Sequence, residues 1–138
     1  MKKTIFLCFC ATLFIAGISS CSKTSTPNPN AQFIGTYYGT GTNTTNGGSP
    51  VAMLDTIVIT ASPSNSSGII INSPSLQYNL QGTVSGNTYT NSTQTIVIAG
   101  TPVNIISGSG TLTGNTMTYS FTASLNGNTT VVSAADSK

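Results

Sequence analysis

Few residues of this chain are equipped for chemistry. Its 138 residues carry two acidic and four basic side chains, with no histidine, arginine, glutamate or tryptophan. Three thiols, Cys8, Cys10 and Cys21, and two carboxylates, Asp55 and Asp136, are the groups to weigh. A serine triad needs a base to take the hydroxyl proton, and the abundant Ser and Thr have no histidine to serve them. Glycoside hydrolysis takes two carboxylates flanking the bond. Asp55, however, is the only charged side chain between Phe33 and Ala135, and Asp136 reads as part of a terminal tail, 136–138. A metal centre would lack histidine, cysteine and clustered carboxylates, so neither metal nor cofactor is expected. The chain reads as non-enzymatic, with no catalytic residue.

One cysteine has a distinctive setting. Lys2 and Lys3 precede an apolar run from Thr4 to Ile18, after which small residues lead to Cys21. A positive start, a short apolar core and small residues at the cut define an export signal over 1–20. The run is shorter than the roughly 20 apolar residues a membrane span needs. The stretch Ile18-Ser19-Ser20-Cys21 resembles the lipobox of bacterial lipoproteins, an aliphatic residue and two small ones before the modified cysteine. That resemblance implies a cut before Cys21, diacylation of its thiol and N-acylation, and so attachment to a membrane through lipid. More than one chain makes such an anchor stable, since each buried CH₂ contributes about 0.8 kcal/mol and a single chain binds marginally. The resemblance extends to address. Ser22 stands where an aspartate would retain some lipoproteins in the inner membrane, and the acidic cluster that sends some Bacteroidota lipoproteins to the surface is missing. Both point to the outer membrane, facing the periplasm.

Removal of the signal takes Cys8 and Cys10 with it, leaving Cys21 alone and no intramolecular disulfide. Residues 21–32 are polar and punctuated by proline, and read as a lipidated cysteine and flexible tether. What remains, 33–135, suffices for a single domain. Nucleic acid is excluded as a partner, because displacing phosphate counterions takes several Lys or Arg and only Lys23 and Lys138 survive processing.

The body of the chain reads as β throughout. Short runs rich in Ile, Val, Thr and Tyr alternate with Gly, Asn, Ser and Pro, and no capped 3.6-residue apolar period occurs. Strands are expected near 33–42, 52–60, 68–72, 76–85, 88–91, 94–99, 103–113, 116–125 and 129–133. Gly82-Thr83-Val84-Ser85-Gly86-Asn87-Thr88-Tyr89-Thr90 recurs as Gly110-Thr111-Leu112-Thr113-Gly114-Asn115-Thr116-Met117-Thr118. Each is strand, turn, strand, with glycine supplying the positive φ of a type II′ turn. Pairing outward from Gly114-Asn115 sets Leu112 against Met117, Gly110 against Tyr119 and Gly108 against Phe121. Glycine opposite an aromatic lets a ring lie over bare backbone while the strand bends.

Strands such as Thr56-Ile57-Val58-Ile59-Thr60 are β-prone, with no Lys or Glu to guard an edge. Closure removes edges, so the expected fold is all-β: an antiparallel meander of about 8–9 strands forming a small up-and-down barrel, with a β-sandwich as the alternative. Gly35-Thr36-Tyr37 resembles in part the Gly-x-Trp signature of lipocalin-like barrel lipoproteins of Bacteroidota. The Trp and the arginine that packs on it are missing, so the resemblance implies a shape and not a ligand.

Strand parity puts Asp55 with Met53, Ile57 and Ile59, so it either enters the barrel or sits at the rim or beside a bulge. Together with Tyr37, Tyr89, Tyr119 and Phe121 it forms the candidate ligand-binding set, for which core packing is the alternative. Two roles remain. One is a structural or protein-interaction lipoprotein with a filled barrel that meets an envelope protein. The other is a binding module whose barrel cavity holds a small apolar or amphipathic ligand, for which a continuous interior cavity above roughly 300 Å³, lined by Tyr and faced by Asp55, is expected, a filled interior counting against it.

Overall fold

The structure, a computed structural model, describes residues 28–138. The signal segment, Cys21 and most of the tether lie outside them. A short 3₁₀ turn, Ala31–Phe33, leads into nine strands: β1 (Gly35–Thr45), β2 (Val51–Ala61), β3 (Gly68–Ser73), β4 (Tyr78–Ser85), β5 (Thr88–Asn91), β6 (Gln94–Ile98), β7 (Thr101–Thr113), β8 (Thr116–Leu125) and β9 (Asn128–Ser137). All neighbouring pairs are antiparallel. The order β5-β4-β3-β2-β1-β9-β8-β7 closes on itself through β5 and β7, making an eight-stranded barrel with β6 as one extra strand. The fold is therefore the expected small barrel and not the sandwich.

Closure needs one long strand and two short ones. Along β7, β5 pairs from Gly108 to Thr111 and β6 from Thr101 to Ile105, so the short strands lie end to end on a single partner. Beside β6 the Gln94 side chain does what a backbone ladder would do for β4. Its Nε2 donates to the Gln81 carbonyl at 2.8 Å and its Oε1 accepts from the Gln81 amide at 3.0 Å. A bulge at Ile106, between Ile105 and Ser107, keeps both halves of β7 in phase with the interior. Val103 and Ile105 face inward before it and Gly110 and Leu112 after it, while Ile106 is left exposed.

Alternation decides what lies inside. Met117, Tyr119, Phe121 and Ala123 of β8 are buried, and the threonines and serines between them face outward. Ile57, Ile59, Ile69, Ile71, Leu80 and Ile105 complete a dry core, each contributing roughly 1.5–3 kcal/mol on burial. The turns at Gly86 and Gly114 have the expected positive φ of 59°, and the β7–β8 register matches the pairing read from the sequence. One detail differs. The ring lying over Gly110 is that of Tyr89, from β5 on the other side, where a Cβ would collide with it.

Both ends of the domain depart from expectation. Residue 33 does not begin a strand; Phe33 closes the 3₁₀ turn and is fully buried, packing edge-to-face on Tyr89 at 6.2 Å. Asn30, placed in the flexible tether by the sequence, is also fully buried, its Nδ2 donating to the Gly68 carbonyl at 2.7 Å. At the other terminus β9 runs on to Ser137, pairing with β1 and β8, so residues 136 and 137 are strand and not tail. Lys138 then folds over this end, its Nζ donating to the Gln32 carbonyl at 2.8 Å and standing 5.0 Å from the centre of the Tyr37 ring. Among the described residues no helix is long and apolar enough to cross a membrane.

Gly110→Ala should destabilise the barrel by about 1–3 kcal/mol through overpacking, because its Cβ meets Tyr89 and lies 2.9 Å from both the Thr118 carbonyl and Tyr119 Cβ. Gly48→Ala, whose nearest neighbour would be the Thr45 carbonyl at 3.1 Å, should change the urea midpoint far less.

Candidate functional site

The two carboxylates, far apart in sequence, meet inside the barrel. β1 lies between β2 and β9, and Gly39 pairs with Asp55 on one side and Asp136 on the other. Asp55 is 3% exposed and Asp136 0%. Two strand spacings put their Cα atoms about 10 Å apart, and the missing side chain between them narrows the gap. A Cβ on Gly39 would collide with Asp136 Oδ1, so the Asp136 carboxylate occupies the space above Gly39, on the side of Asp55. The parity that places Asp55 inside is the one expected from the sequence. The reading of Asp136 as tail was wrong, because β9 continues past Ala135 to hydrogen-bond with both neighbours.

These carboxylates have no side-chain partner. All four oxygens are buried, and the Thr56 amide beside Asp55 is the one donor that acts on them. Burial therefore raises the pKa of Asp55, and the nearby Thr56 amide offsets only part of the effect. Burial, reinforced by the field of Asp55, lifts Asp136 to about 6. Lys138, the one cationic side chain among the described residues, is committed to Gln32 and Tyr37 at the barrel end.

Two buried tyrosines feel this pair. Tyr78, the first residue of β4, is raised by burial and by the fields of Asp55 and Asp136, with the Ser73 hydroxyl offsetting part of the effect. Tyr89 is raised by burial, then by Tyr78 and Asp55. The hydroxyls of Tyr89 and Tyr119 are buried without a hydrogen bond. Tyr37 differs. Its hydroxyl donates to the Phe33 carbonyl at 2.8 Å, and burial pushes it to about 12.

Most of the interior is filled by side chains, and open space lies at one end. A cavity of about 270 Å³ is lined by Leu76, Tyr78, Ile98, Val103, Phe121 and Val132 among others. It sits where the β3–β4, β6–β7 and β8–β9 turns converge, opposite the end closed by Phe33 and Lys138. Its lining is mostly apolar, with Thr101 and Thr130 as polar exceptions. Tyr78 and Phe121 meet edge-to-face there, with ring centres 5.6 Å apart and planes at 74°.

Of the five residues expected around a ligand, all face inward, but Phe121 alone lines this cavity. Asp55 and Tyr89 belong instead to the carboxylate cluster, Tyr37 to the closed end, and Tyr119 to the β8 wall beside Gly110 and Ala134. Asp136 and Tyr78 were missed. The alternation of Val132, Ala134 and Asp136 would have placed the first, and that of Tyr78 and Leu80 the second. Comparison with family models, with curated proteins and with solved structures gave no match to this chain.

The raised carboxyls set a pH dependence. A group whose folded pKa lies above its unfolded value holds its proton longer when folded, so the folded state gains nothing from ionisation that the unfolded state would not gain sooner. Without added metal ions, stability should be greatest below pH 4 and should fall as pH rises toward 6, across the interval between the ordinary value of 3.8 and the folded value of Asp136. Asp136→Asn should flatten this fall and raise the urea midpoint at pH 7. An unfolding series from pH 4 to 7 on both proteins measures it.

Proposed function

We propose that this chain is a non-enzymatic, lipid-anchored protein of a bacterial cell envelope whose barrel holds a small apolar or amphipathic molecule in its end cavity. The observation that carries the ligand reading is the apolar cavity of about 270 Å³, walled by Tyr78 and Phe121. It is slightly smaller than the size set by the sequence reading, it lies at the mouth of the barrel instead of its centre, and Asp55 does not line it. A pocket of this size that is mostly apolar takes its occupant by exclusion of water, with shape and not charge setting the fit.

The anchor rests on Cys21 and the Ile18-Ser19-Ser20 that precede it, with the outer membrane facing the periplasm as its address. Arrangement adds support. The described chain starts at the closed end, where Asn30 bonds to Gly68, and the residues from Cys21 to Asn28 reach at most about 25 Å. A lipid on Cys21 thus tethers the closed end near the bilayer and leaves the mouth pointing away from that anchor. A second reading, docking to an envelope protein, is favoured by the outer face of β1 and β2, where Leu54 is 84% exposed and Tyr38 63%.

Two experiments test the proposal. The neutral fluorophore N-phenyl-1-naphthylamine should brighten and shift to the blue on binding the native protein, and Leu76→Trp, which fills the mouth, should weaken that binding at least about tenfold, or about 1.4 kcal/mol. Equal binding by both proteins, or none by the native one, would remove the cavity as the site. Cys21→Ala should move the protein from the membrane to the soluble fraction; retention in the membrane would remove the lipid anchor.

A further inference from the structure

The carboxylate cluster shares only Tyr78 with the mouth cavity and needs its own explanation. Four carboxylate oxygens, two each on Asp55 and Asp136, flank Gly39, and the buried hydroxyls of Tyr78 and Tyr89 lie within reach of their field. All four residues are at least 97% buried, with exposures of 3%, 0%, 1% and 0%. The residues come from β2 and β9, which flank β1, and from the adjacent β4 and β5, with β1 contributing only the bare backbone of Gly39 that lets Asp136 lie over it.

A hydroxyl beside a carboxylate ordinarily donates to it, and that bond would stabilise both groups. Here neither tyrosine does so, and the four carboxylate oxygens lie buried with only the Thr56 amide acting on Asp55. Two buried carboxylates without a cationic side chain nearby are costly, since removing each charge from water costs several kcal/mol. No Arg or His exists in the sequence and Lys138 is occupied elsewhere. Among the described residues no cationic side chain faces them, so their charge is balanced either by protons or by a bound cation.

We infer that Asp55, Asp136, Tyr78 and Tyr89 form a buried binding site for a divalent cation of the calcium class. One such ion balances both carboxylates. Every donor is a hard oxygen, with no nitrogen or sulfur to favour zinc or copper. Calcium takes six to eight oxygens in flexible geometry, whereas magnesium demands a near-ideal octahedron and keeps several waters. Carboxylates from β2 and β9, with the phenol oxygens of β4 and β5 in their field, suit the larger and more flexible ion. The sequence reading expected no metal for want of histidine, cysteine and clustered carboxylates; the place of Asp136 in β9 supplies the last of these. Closure of the barrel around the ion makes the site structural, and ion binding then adds to folding stability.

The chain offers an unusually clean test. It has two acidic side chains and no tryptophan, so exposed carboxylates contribute almost no background and tyrosine is the only sensitiser. Purified protein in detergent is stripped with a chelator at pH 7 and titrated with Tb³⁺ under excitation at the tyrosine band. Tyrosine-sensitised green emission should saturate at one equivalent and be displaced by Ca²⁺, and millimolar Ca²⁺ should raise the melting temperature. Asp136→Asn should abolish the emission. Tyr89→Phe, which keeps the packing and loses one oxygen, should weaken Tb³⁺ binding about tenfold while leaving the melting temperature of the stripped protein nearly unchanged. Absence of sensitised emission together with a melting temperature indifferent to Ca²⁺ would overturn the inference and leave the carboxyls neutralised by protons. Emission persisting in the Asp55→Asn, Asp136→Asn double variant would overturn it equally. The mouth cavity takes no part in these readouts, so their failure leaves the proposed function standing.

Discussion

The structure depends on closure of the sheet. A chain with one charged side chain between Phe33 and Ala135 cannot protect a strand edge with lysine or glutamate, and an open edge of Ile and Val would recruit other chains. Pairing the first strand region with the last, β1 with β9, and β5 with β7 removes the problem for the eight barrel strands. The ninth, β6, is short and is held to β4 through the Gln94 side chain. Everything inside follows from that ring. Closing β9 against β1 carries Asp136 into the interior, and the register of β1 with β2 brings Asp55 to the same glycine.

Glycine and tyrosine share the work of fitting the core into a narrow barrel. Gly110 and Gly82 yield room for the Tyr89 ring, and Gly39 yields room for the Asp136 carboxylate. Side chains therefore fill the middle and the end near Phe33, and free volume collects at the opposite mouth. The division has a functional consequence. The mouth is apolar and suited to a water-excluding occupant, while the buried polar groups lie behind the Tyr78 ring, whose hydroxyl is in the field of both carboxylates. Tyr78 is the one residue common to the two regions.

Much of the fold was legible in the sequence. The paired Gly-Asn turns, the alternation in β8, the register of β7 with β8 and the inward parity of Asp55 all follow from local periodicity, which a two-residue repeat expresses directly. Termini were not legible. Ser133, Ala134 and Ala135 are weak strand formers, so nothing local signals that β9 continues; its ladder with β1 and β8 enforces it. Asn30 and Phe33 likewise owe their burial to the far side of the barrel. The candidate site was half visible for the same reason. Asp55 could be placed by parity within its own strand, but its convergence with Asp136 depends on closure between residues distant in sequence, and the position of the free volume depends on which glycines the rings consume.

The central claim is that the two carboxylates face one another inside a closed barrel. Because Asp55 and Asp136 are the only acidic side chains, carbon-13 NMR of aspartate carboxyls in metal-free protein yields two resonances to follow with pH. Burial as described requires both to titrate above the ordinary value of 3.8, with Asp136 near 6. Two resonances titrating together at or below 3.8 would show solvated carboxylates and would contradict the convergence over Gly39.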